Sequence, residues 1–141
     1  MATLTYNKFN SFSEALCEKV HNLGSDTLKV MLTNAAPVAT NTQKSDLTEI
    51  SAGNGYTAGG ETLTVTSSSQ TSGTYTLVIT SDVTWTAVTS SMATFRYITL
   101  YNDTATNDEL IGWWDHGSAV TLGVGESYTL DLNGQTLIQL A

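Results

Sequence analysis

The apolar positions of this chain recur mostly with a period of two. Between Thr94 and Trp114, Phe95, Tyr97, Thr99 and Tyr101 fall on one side of an extended segment, with Arg96, Ile98 and Leu100 on the other. Both faces therefore carry bulky groups to bury, which is how a central strand reads. The polar run Asn102 to Glu109 reverses the chain, and Leu110 to Trp114 returns as the partner strand of a long-looped hairpin. Two strands cannot bury that much apolar surface alone, so the remaining elements must supply a second layer.

The same alternation runs through the rest of the sequence. Leu28, Val30 and Leu32 alternate with Lys29, Met31 and Thr33 within Asp26 to Thr33. Leu63 and Val65 lie in a threonine ladder, Tyr75, Leu77 and Ile79 alternate with Thr76, Val78 and Thr80, and Val83, Trp85 and Ala87 follow almost at once. Ser81 and Asp82 read as a tight turn that pairs Thr74 to Thr80 with Val83 to Val88, and Ser67 to Gly73 reads as a flexible polar surface tip. Ala119 to Leu122, Ser127 to Leu132 and Thr136 to Leu140 complete the strands, with Asn133 and Gly134 forming a two-residue hairpin turn between the last two.

One segment departs from this period. Ser11 and Glu14 have capping-box spacing, and Phe12, Ala15, Leu16, Val20 and Leu23 recur at helical intervals until Gly24. The spacing predicts a helix over 11–23, with Glu18, Lys19 and His21 on its outward face. The expected fold is all-β, an antiparallel β-sandwich or jelly-roll-like barrel of about 8-9 strands with one N-terminal α-helix. Residues 11–141 form a single domain in this reading, and residues 1–10 precede it as an arm that suits either a short strand or an extended tail. No internal repeat of fixed period is visible.

At 141 residues, a single domain buries roughly two thirds of its unfolded surface, so neither a metal nor a disulfide is needed for folding. Cys17 is the only cysteine, which excludes an intrachain disulfide and a cysteine-based zinc cluster. The net charge is -8 and unevenly placed: Lys8, Lys19, Lys29 and Lys44 lie in the first 44 residues, and only Arg96 follows. From Ser45 onward there is one base against ten acids. Such a body repels nucleic acid and anionic membranes, whose binding needs clustered Lys or Arg. The plainer reading of the split is an acidic solvated surface; the sharper one is that the amino-terminal portion docks on something whose charge differs from what the outer face meets. The longest apolar runs are too short to span a bilayer, and the amino terminus lacks a signal-peptide pattern.

The chemistry-bearing residues do not assemble into a reaction centre. His21 and His116 have no partner at metal-ligand spacing, and the Asp115–His116 pair has no nucleophile motif beside it. Asn102, Asp103, Asn107, Asp108 and Glu109 crowd one loop; oxygen ligands in that number suit calcium, but they depart from the EF-hand pattern and read better as a solvated turn. The glycines of Ser51 to Gly60 mark sharp backbone, without the lysine and following helix of a phosphate loop. Trp113 and Trp114 are adjacent in a strand and face opposite ways, so at least one is core and the other is left as a rim contact or interface anchor. The expectation is a chain with no enzymatic activity, no cofactor, no metal and no small-molecule substrate.

The stretches LKVMLTNAAPVATNT (Leu28 to Thr42), DLTEISAGNGYTAGG (Asp46 to Gly60) and RYITLYNDTATNDELIGWWDHGSAVTLGVGESYTL (Arg96 to Leu130) resemble a group of small tailed-phage virion structural proteins. The likeness covers most of the chain, and its motifs are architectural, with no catalytic residues to carry over. It implies a virion component, most closely a capsid decoration or cement protein on the capsid surface, made in the host bacterial cytoplasm. The implied partners are the major capsid protein and further copies of the chain, as a trimer. On this reading the interface residues are Leu4, Tyr6, Lys8 and Phe9 of the arm, with Trp113 and Trp114. A tail, neck or fibre-associated part and a carbohydrate-binding module are the rival expectations.

Overall fold

The computed structural model describes residues 4–141. Its elements, in chain order, are β1 (Thr5–Lys8), α1 (Ser11–Cys17), β2 (Leu28–Thr33), a 3-10 turn (Lys44–Asp46), β3 (Glu61–Thr62), β4 (Val65–Thr71), β5 (Thr74–Ile79), β6 (Val83–Thr86), β7 (Phe95–Asn102), β8 (Leu110–Val120), β9 (Ser127–Leu130) and β10 (Gln135–Leu140). The protein is an all-β sandwich with an N-terminal helix. A five-stranded sheet in the order β1-β8-β7-β2-β3 faces a three-stranded sheet, β10-β5-β4, and a two-stranded sheet, β6-β9. All pairings are antiparallel.

The central hairpin forms, with β7 between β2 and β8, but a bulge between Phe95 and Tyr97 moves Phe95 off the face of Tyr97 and Tyr101. Its inward residues, Phe95, Ile98 and Leu100, meet Val30 and Leu32 of β2, Leu77 and Ile79 of β5, and Trp85 of β6 in the main core. The opposite face is covered too. Met31, Tyr101, Leu110 and Trp113 are buried there with Phe9, beneath Ala39 and Leu47 of the long loop after β2. Two covered faces explain why β2 and β7 carry bulky groups on both sides. A bulge pairs Leu100 with Gly112 and Tyr101 with Leu110, leaving Ile111 unpaired between them, which turns Ile111 into the main core while Leu110 faces the smaller one.

Four local expectations change. Helix α1 ends at Cys17 instead of residue 23, because Lys19 takes φ 70 and closes the helix: its amide donates to the Leu16 carbonyl and the Val20 amide to the Ala15 carbonyl. That is a Schellman closure with lysine in the place glycine usually fills. The Ser11–Glu14 capping box is absent, since the N-cap is Asn10, which makes no side-chain cap bond. Ser67 to Gly73 is largely strand: β4 pairs with β5 around Ser72 (φ 51) and Gly73 (φ 86), the two positive dihedrals of a type I′ turn. Finally, Ser81–Asp82 and Asn133–Gly134 join no hairpins, and Ser81–Asp82 is not a turn at all. β5 pairs with β4 and β10, while β6 pairs with β9, so both junctions carry the chain from one small sheet to the other.

Candidate functional site

The amino-terminal segment is a strand, not a free arm. β1 occupies the edge of the five-stranded sheet, with Tyr6 opposite Trp114 and Lys8 opposite Gly112 on β8. The Phe9 amide continues the ladder to the Ile111 carbonyl at 3.2 Å. Antiparallel alternation then directs the polar backbone groups of Thr5 and Asn7 to β8 and leaves those of Tyr6 and Lys8 facing outward.

What holds β1 is Phe9, fully buried with its ring 4.5 Å from that of Trp113. Three of the candidate interface residues are thus largely interior. Phe9 and Trp113 lie in the smaller core and Trp114 in the main one. Trp113 and Trp114 do point opposite ways, yet both are interior because both faces of the sheet are covered. Trp85 is 1% exposed as well, so none of the three tryptophans offers a sugar-stacking surface.

Tyr6 and Lys8 remain exposed on the inward-facing side of β1, and Leu4 is half-buried against the main core. Tyr6 is 41% exposed, with its ring 5.2 Å from Trp114. Its hydroxyl lies over Gly112, where a Cβ would meet it, and burial of that end pushes the phenol up to about 12. Leu4, Tyr6 and Trp114 form one wall of a groove of about 510 Å³, and the turn between β9 and β10, with Leu130, Asp131, Leu132 and Leu137, forms the other. The second wall has no sequence signal near β1, because it comes from the far end of the chain and is set by strand order alone. Lys8 donates to Ser13 Oγ at 2.8 Å. The two ion pairs among the described residues are Lys29–Asp103 and Arg96–Asp115, so neither Lys8 nor Asp131 has a charged partner there.

The remaining chemistry-bearing residues are engaged structurally. Asp115 accepts from Arg96 Nε at 2.8 Å and Nη2 at 3.1 Å, and the guanidinium, helped by the Gly117 amide, holds its carboxyl below the usual range. His116 turns instead to the Ser118 carbonyl at 3.1 Å. His21 is not on an outward helix face: it is buried beside Phe12, with Nδ1 3.0 Å from Asn102 Nδ2. Asn102 donates also to Asp26 Oδ2 at 2.6 Å and accepts from the Thr104 and Ala105 amides, so it closes the 102–109 loop from within. Glu109 ties down Asn107 in the same loop. Among the described residues no group of three or more His, Cys, Asp or Glu is placed to hold a metal ion, and no helix is long and apolar enough to cross a membrane.

No protein-family model matches the chain, and neither the curated proteins nor the solved structures compared with it gave a match. Functional inference therefore rests on the geometry of the chain and on its sequence pattern.

Proposed function

We propose that the chain is a structural protein of a tailed-phage particle, a capsid decoration protein that binds between major capsid subunits and stabilises the head. The observation that supports this reading is the open edge of β1. Among the described residues no strand covers the outward backbone groups of Tyr6 and Lys8, and a groove lined by Leu4, Tyr6, Trp114 and several leucines, with Asp131 among them, lies beside Tyr6. A strand edge next to a largely leucine-lined groove suits protein association, where main-chain bonds give affinity and the groove gives selectivity. A part that binds only the assembled shell lowers the free energy of that shell by mass action, and many copies with modest contacts add up.

The test is to locate the chain on purified particles by quantitative mass spectrometry of separated heads and tails. Recovery with heads is expected. Recovery with tails supports a tail or neck part instead, and absence from both sinks the reading. Tyr6→Pro provides the matched control, since it removes one outward amide while leaving the bonds from Thr5 and Asn7 to β8. It should lower occupancy on heads while the far-UV circular dichroism is retained.

A further inference from the structure

We infer that the β1 edge is self-complementary and pairs antiparallel with β1 of a second copy, joining two five-stranded sheets into one across a two-fold axis at Asn7. The inference rests on the reading of β1 as an assembly edge and names what occupies it. The outward backbone groups belong to Tyr6 and Lys8, so an axis at Asn7 sets Tyr6 of each copy against Lys8 of the other. Each of those two pairings can exchange both of its backbone hydrogen bonds. A register with Lys8 against Lys8 would place like charges directly opposite and is disfavoured.

Charge complementarity selects the same register. Lysine on an edge strand ordinarily discourages strand addition. Here Asp131 lines the same groove as Tyr6, from the opposite wall, and has no cationic partner among the described residues. Tyr6 and Lys8 share a face of the strand, so the second copy's Lys8, set opposite Tyr6, is directed into that groove. It exchanges its bond to Ser13 Oγ for an ion pair with Asp131. The lysine that blocks other strands therefore admits this one. Such a contact is isologous and closes at two copies, whereas a trimer requires two different surfaces.

The test is the mass of the purified chain in solution by sedimentation equilibrium. A species of twice 15.0 kDa is expected. Lys8→Glu and Asp131→Lys should each weaken the dimer by about tenfold or more, and the double variant should restore it, because the pair is reversed intact. Circular dichroism and urea denaturation show that each variant folds. A monomer at all concentrations, a trimer, or a dimer indifferent to both single substitutions would overturn the inference. Head occupancy, measured separately, keeps the two proposals apart: a dimer absent from heads sinks only the decoration role, and a monomer present on heads sinks only the edge pairing.

Discussion

Gly60 sits at φ 74 with β2 so close that an added Cβ would lie 1.9 Å from the Val30 carbonyl oxygen. Backbone cannot yield there as a flexible side chain would, so Gly60→Ala should lose about 3 kcal/mol or more in urea denaturation. Its role was partly legible, since four glycines within ten residues announce unusual dihedrals, but which of them meets β2 depends on the packing. His21 was read wrongly because lysine, an unlikely residue for left-handed backbone, ends the helix before it. Asn102 Nδ2 faces its Nδ1, so the neutral ring accepts there, and protonation would set a second donor against the amide. Burial lowers its pKa from 6.5, with Glu109 and Asp26 acting in the opposite direction. The unfolded chain therefore binds the proton more readily than the fold does, and stability must fall as pH drops through 6.5 toward the lowered value. The urea midpoint should be lower at about pH 5.5 than at about pH 7.5, and His21→Gln should flatten that difference.

Helix α1 and strand β1 show how a single position sets the extent of an element. With Lys19 at φ 70, the closure of α1 carries a left-handed cost of about 1–2 kcal/mol that glycine avoids. Lys19→Gly should therefore raise stability by about 1 kcal/mol in urea denaturation, a gain that a helix continuing to residue 23 would not show. β1 is short, and its hold on the sheet comes from Phe9 more than from its own side chains, most of which are exposed. Phe9→Ala should cost about 3–5 kcal/mol. Tyr6→Ala, at a site 41% exposed, should cost distinctly less, and thermal melts of the two variants check the order. The alternation that identified β2, β5 and β7 reports burial on a pleated surface and survives in the fold, except that a bulge turns Phe95 to the face of Ile98 and Leu100. Turn residues reveal less: Asn133 and Gly134 do form a turn, with Gly134 at φ 73, yet the strands on either side pair elsewhere.

For the molecule as a whole, strand order matters more than local propensity. β1 pairs with β8, β10 with β5, and β6 with β9, so most sheet edges close over long stretches of intervening chain. Closure entropy precedes the reward of such contacts, and refolding should fall in the millisecond-to-second range typical of sandwiches rather than the microsecond range of helical bundles. Stopped-flow tryptophan fluorescence can follow it, since Trp85, Trp113 and Trp114 are all buried by folding. Faster refolding would mean that the long-range sheet is not rate-limiting.

The amino-acid order alone carried the fold class, the central hairpin, the acidic surface and the lack of a recognisable reaction motif, because all of these depend on residue type and on spacings of a few positions. The groove beside β1, the interior placement of Phe9, Trp113 and Trp114, and the presence of Tyr6 and Asp131 in one groove were not readable there. They arise where segments from opposite ends of the chain come together, and that meeting is settled by which strand edges close on one another and by how many faces of each sheet are covered. A period of two says that a side chain points to one face or the other; it does not say what lies across from it.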